Sequence, residues 1–148
     1  MAKLSFSATV AAFAEKIPGA VEAVFKEAVH DVTEEMLKPT GAGGRIRVDT
    51  GFLRASALAS TTAMPTINRN SGPTDGASYA FDFGQIEAVV LGADVNDTIY
   101  VGFTAGYAVY REFGANGQAP DAFVRGAAQQ WQGIVDRKAG ELKRRLGL

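Results

Sequence analysis

His30 is the single histidine of this chain, and Asp31 follows it directly. An imidazole beside a carboxylate does triad chemistry only with a nucleophile, and holds a metal only with further ligands. Spacing ties neither to this pair. Position 30 also lies off the main apolar stripe of its segment, so it reads as a solvated or interfacial helix residue. Glu34-Glu35 and Asp94/Asp97 do not form a spaced carboxylate pair whose environments would push two pKa values apart, as acid–base work requires. The run Gly41-Ala42-Gly43-Gly44 lacks the Gly-Lys-Ser/Thr ending of a phosphate loop and follows a helical pattern instead of preceding one. Trp131 recurs at helical spacing with core-type residues and reads as core, not as a ligand platform. Arg137, Lys138, Lys143, Arg144 and Arg145 could touch DNA phosphates, but such a cluster usually faces solvent beside the negative end of a helix. These residues give no catalytic, cofactor-binding or metal-binding set, and no cofactor is implied.

Helices at both ends would have to position whatever work is done. Val10, Phe13, Ile17, Val21, Val24, Ala28, Val32 and Met36 recur three and four apart, on one helical face. Pro18-Gly19 interrupts the ladder, which places the main helix from about Pro18 to Leu37, stopped by Pro39. Leu53 to Thr62 reads as a strand, with a preceding helical turn that Asp49 or Thr50 would cap. Gln85 to Leu91 fits a short helix ended by Gly92, and Thr98 to Phe103 is the clearest strand, entered by the Asn96-Asp97 turn. Pro120 and Asp121 open a long helix to about Leu146, with Phe123, Ala127, Trp131, Ile134, Val135, Leu142 and Leu146 inward. The expected class is α+β: a small antiparallel sheet packed against a long N-terminal helix and a long C-terminal helix. Flexible loops are expected at about 40–48 and 64–78, where glycine, proline and asparagine gather.

The 148 residues fit one domain, which buries roughly 68–70% of the surface its unfolded chain would expose. No cysteine is present, which removes disulfide and thiolate chemistry and fits a reducing cytosol. Fifteen basic against sixteen acidic residues argue against a dedicated nucleic-acid binder. No apolar run approaches the ~18–20 residues of a membrane span. Leu4–Ala14 after Lys3 imitates a secretory signal, but serines and a threonine interrupt it and its period continues into charged sequence. Without export the Asn96-Asp97-Thr98 sequon has no meaning.

Three segments remain. Asp49-Thr50-Gly51-Phe52-Leu53-Arg54-Ala55-Ser56 precedes the first strand, Tyr107-Ala108-Val109-Tyr110-Arg111-Glu112-Phe113-Gly114 follows the second, and Ala119-Pro120-Asp121-Ala122-Phe123-Val124-Arg125 opens the last helix. Their physical sense is architectural: turns and aromatic anchors that lock helices to sheet. In order and spacing they resemble the tail-completion, or head–tail joining, family of long-tailed, siphophage-type bacteriophages. Asp49, Thr50, Gly51, Leu53, Arg54 and Ser56 carry the first likeness; Tyr107, Ala108, Tyr110, Glu112, Phe113 and Gly114 the second; Ala119, Pro120, Phe123 and Arg125 the third. The likeness spans about residues 10–135, departing in the insertion at 41–47 and in the 64–78 loop.

The resemblance implies a non-enzymatic virion subunit in a ring, commonly a hexamer, at the head-proximal end of a tail. Its partners would be its own copies, the tail-tube protein and the head connector or stopper, with DNA passing transiently and without sequence preference. A gene-transfer agent or a defective prophage tail would look the same. The other class of function open to this sequence is a soluble DNA-binding accessory protein using the basic C-terminal helix. A small hydrolase built on His30 is a third.

Overall fold

The computed structural model describes residues 19–147. Helix α1 spans Ala20–Leu37, so the apolar positions from Val10 to Ile17 and the signal-like run lie outside the described residues. Two apolar rows run along α1. Ala20, Val24 and Ala28 form one, and Val29, Met36 and Leu37 belong to the other. Thr33 is fully buried within the second row, and its hydroxyl donates to Val29 O at 2.7 Å, which removes the cost of burying it. Lys38 turns extended ahead of Pro39, which ends the helix.

Residues 40–48 contain a 3-10 turn, Thr40–Ala42, and a parallel bridge between Pro39 and Ile46. Ile46 is fully buried in the main core, an anchor that the glycine-rich composition did not advertise.

The stretch expected as one strand from Leu53 divides. Helix α2, Phe52–Ala55, comes first, and strand β1 covers only Ala57–Ser60. The local chemistry explains the correction. Thr50 Oγ1 accepts from Phe52 N at 3.3 Å, while Ser56 N bonds back to Phe52 O and its hydroxyl donates to Leu53 O at 2.8 Å. Side-chain bonds of this kind compete with a sheet ladder. Gly51 enters the turn at φ 86, and a Cβ there would overlap the carbonyl oxygen of Tyr79; only glycine meets both conditions.

Helix α3, Gly84–Gly92, precedes strand β2, Tyr100–Phe103. β1 and β2 pair antiparallel, with Ala57 opposite Phe103 and Ser60 opposite Tyr100. The β1 main chain is also met by Gln85, whose amide accepts from Ala59 N at 2.9 Å and donates to Ala59 O at 2.8 Å. Gln85 thereby satisfies an edge that would otherwise offer itself to another strand.

Residues 64–78 form no helix or strand. Met64 and Pro65 lie against Gly102, Asn68 N donates to Thr104 O, and Ser71 O accepts from Gly106 N. This segment therefore follows β2 in the same direction.

Helix α4, Ala108–Phe113, occupies the aromatic stretch to which periodicity assigned no element. The long final helix is two helices, α5 at Phe123–Ala128 and α6 at Trp131–Arg145. At the break Gln130 N bonds Ala127 O, a tightened turn. The architecture is α+β, a two-stranded antiparallel sheet with long helices on its N- and C-terminal sides. Ile134, Val135 and Ala139 of α6 close on Ala20, Val24 and Ala28 of α1, and Phe123 of α5 packs edge-on against Phe103 at 5.0 Å.

Trp131 was expected inside and is not. It is 37% exposed and lies with Val124 and Ala128 on the wall of an open surface groove.

Candidate functional site

The second and third motif segments meet at the start of α5. That helix begins at Ala122, in the left-handed region at φ 51, with no cap from its own side chains. Glu112 of α4 supplies one from outside. Its buried carboxylate accepts from Val124 N at 2.9 Å and from Arg125 N and Nε, each at 3.0 Å. An anion against unpaired helix N–H groups is favourable. Arg125 Nη2 returns a bond to Glu112 O at 2.8 Å, and its guanidinium lies 4.5 Å from the Phe113 ring centroid. Asp121 N and Ala122 N donate to Arg111 O and Glu112 O, which satisfies the last carbonyls of α4. Gly114 ends α4 against Gln118 O and Pro120.

One partner here had no signal in the motifs. Arg47, from the glycine-rich insertion, pairs with buried Asp121 at 2.7 Å and reaches Ala119 O at 3.3 Å. Asp121 Oδ2 is buried with no partner among the described residues.

The first segment joins the same neighbourhood from another side. Leu53 is buried, and Arg54 Nε caps the end of α1 by donating to Leu37 O at 2.8 Å while its guanidinium lies 5.3 Å from the Phe81 centroid. Thr50 O accepts from Tyr79 N. Asp49 and Thr50 line a surface cavity of about 410 Å³ with Tyr107 and Tyr110. Burial pushes the Tyr107 phenol up; the nearby Arg111 charge and a bond to the Leu53 main chain offset part of that rise, while Asp49 adds to it.

His30 stands elsewhere, in the cleft between α1 and α3. Its Nε2 lies 3.1 Å from Glu87 Oε1, its Nδ1 is 3.9 Å from both Asp31 and Glu34, and its ring stacks at 4.8 Å on Phe83. His30, Asp31 and Glu34 are of metal-ligating type and close together. Asp31, however, is already met by Lys138 at 3.3 Å and Arg137 at 3.4 Å, two cations that oppose a third. Burial alone would lower the Lys138 pKa, but bonds and attraction from Asp31 and Glu141 raise it on balance. Glu35 is engaged by Lys38 and Gln130. Asp94 and Asp97 build the turn before β2 with their carboxylates, Asp97 Oδ2 accepting from Asp94 N and Asp94 Oδ1 from Asn96 N.

A second surface was missed by periodicity. Phe25, Val29 and Met36 of α1, Ile99 and Val101 around β2, and Trp131 wall an open groove of about 670 Å³ that is almost wholly apolar. Phe25, Val29, Val32 and Met36 are a second row on α1 at four- and three-residue steps, so a signal was present in the sequence. No described helix is long and apolar enough to cross a membrane. Compared with known proteins, the chain significantly matches no family profile, no curated protein and no solved structure.

Proposed function

We propose that this chain is a structural ring subunit at the head-proximal end of a phage-type tail. There it terminates or completes the tube and joins it to the head connector. The reading starts from the three-segment resemblance. One observation supports it most: four of the six charged residues of those segments, Arg54, Glu112, Asp121 and Arg125, are spent on anchoring. Glu112 and Arg125 are committed to each other and to main chain, and Arg54 to the end of α1. Such residues hold a surface in shape and leave little for a reaction. The exposed apolar groups Met64, Tyr110, Phe113 and Trp131 are what an assembly subunit would present.

The DNA-binding alternative has less support. Arg137 and Lys138 are paired with Asp31, and Arg145 with Glu27, which leaves Lys143 and Arg144 without an ion pair among the described residues. Electron microscopy of the purified chain, alone and with tail tubes and connectors, tests the first reading. Rings, capped tubes or joined particles are expected. A chain that never associates with either, yet binds duplex DNA with steep salt dependence lost in Lys143→Glu/Arg144→Glu, would replace it with the second.

A further inference from the structure

We infer that the apolar groove beside Trp131 receives the exposed aromatic edge of α4 from a second copy of this chain. This deepens the ring reading and rests on it for the identity of the occupant. The groove is concave and nearly free of polar atoms, and its rim residues Met64 and Trp131 are 54% and 37% exposed. Val109, Tyr110 and Phe113 stand on one side of α4 with 45%, 63% and 58% of their surfaces exposed. Single exposed apolar residues need no explanation, whereas a contiguous patch and an apolar groove on one small chain do.

The two surfaces are complementary in form and chemistry. The α4 residues project from a helix whose other side, Ala108 and Glu112, is buried, while the groove is recessed between helix and sheet. The groove and the cavity lined by Tyr110 share no residue, so one subunit presents both at once. A contact between two different patches is heterologous, and repeated at a closing angle it builds a ring. Tyr110 and Phe113, 63% and 58% exposed, bring roughly 90–160 Å² each, together about a quarter to a third of the ~800 Å² that one partner of a stable interface buries. Val109 on α4 and Met64 on the groove are placed to add more.

Trp131 is the chain's only tryptophan, so its fluorescence reports the groove directly. The experiment compares the full-length wild type with Met64→Lys, Trp131→Ser and Tyr110→Glu by sedimentation, with circular dichroism to confirm folding. Wild type should form closed oligomers larger than a dimer, with Trp131 shielded from acrylamide, and each variant should be monomeric. Mixing Met64→Lys with Tyr110→Glu should give one-to-one dimers that grow no further, because each pair keeps one intact contact and lacks the next. Variants that assemble like wild type would overturn this interface and leave the ring reading standing. A wild type that stays monomeric in the presence of tail tubes would overturn both. If its Trp131 were shielded even so, the groove would belong to the chain's own residues 1–18. Should Met64→Lys misfold, Tyr110→Glu decides alone, since Tyr110 is too exposed to be required for folding.

Discussion

Glu112 and Arg125 grip each other by both side chain and main chain: the carboxylate of Glu112 takes Nε and N of Arg125, and the guanidinium of Arg125 takes the carbonyl of Glu112. The two are unequal. The Glu112 side chain is 8% exposed and that of Arg125 is 48% exposed. Glu112 also serves Val124 N, a donor with no other partner among the described residues.

Removing the two partners should therefore have different effects. Glu112→Ala strips the cap from α5 and leaves part-buried donors unpaired, a loss of about 2–3 kcal/mol. Arg125→Ala removes a half-exposed cation and its stacking on Phe113, about 1 kcal/mol. Urea unfolding of both variants measures this. Equal losses would mean that the pair acts as an ion pair and not as a cap.

Gly51 and Gly43 share nearly the same backbone angle, φ 86 and 89, but Gly43 faces open space while Gly51 abuts Tyr79 O. Gly43→Ala should cost only the left-handed strain, roughly 1–2 kcal/mol. Gly51→Ala adds a collision with main chain, and its thermal midpoint should fall further than that of Gly43→Ala. A matching pair of melting curves would refute the close approach.

Phe123 and Trp131 reverse what size alone would suggest. Phe123, 2% exposed and packed on Phe103, should cost about 3–5 kcal/mol when cut to alanine. Trp131→Ala should cost about 2 kcal/mol or less, since its groove is open to solvent. Calorimetry on the unassembled chain separates these values.

Lys138 has a folded pKa above its ordinary 10.5, held there by Asp31 and Glu141 against the pull of burial. A raised folded pKa contributes stability that is fully present below the unfolded value and lost as pH rises through the folded one. Wild type should therefore exceed Lys138→Gln in stability at neutral pH, and the gap should close in strong alkali. A gap constant with pH would show that the bond to Asp31 carries no charge dependence.

How much of this was legible follows from residue spacing. α1 and α3 announced themselves because their apolar positions and stops agree: Met36 and Leu37 before Pro39, Val90 before Gly92. α4 escaped because six residues give under two turns of period, too few to recognise. The break at Gln129-Gln130 escaped because glutamine is a good helix former and nothing local marks a stop. Among site residues, Gly51 and Phe123 had local cues. Burial of Glu112 and its reach to α5 had none, because the need it meets lies in a helix that begins eleven positions later. The bond from Arg47 to Asp121 crosses the chain and leaves no trace in spacing.

α1 rests on α6, and contacts such as that of Arg137 with Asp31 join residues 106 positions apart. During synthesis at about 5–20 residues per second, α1 therefore waits roughly 5–20 s before its partner has been made. Through that interval Ala20, Val24 and Ala28 lack the α6 residues that cover them in the folded chain. The nascent chain is thus a client for whatever in the cell shields apolar helices. Slowing the ribosome within the α6 codons should lower the yield of native protein far more than slowing it after Arg145.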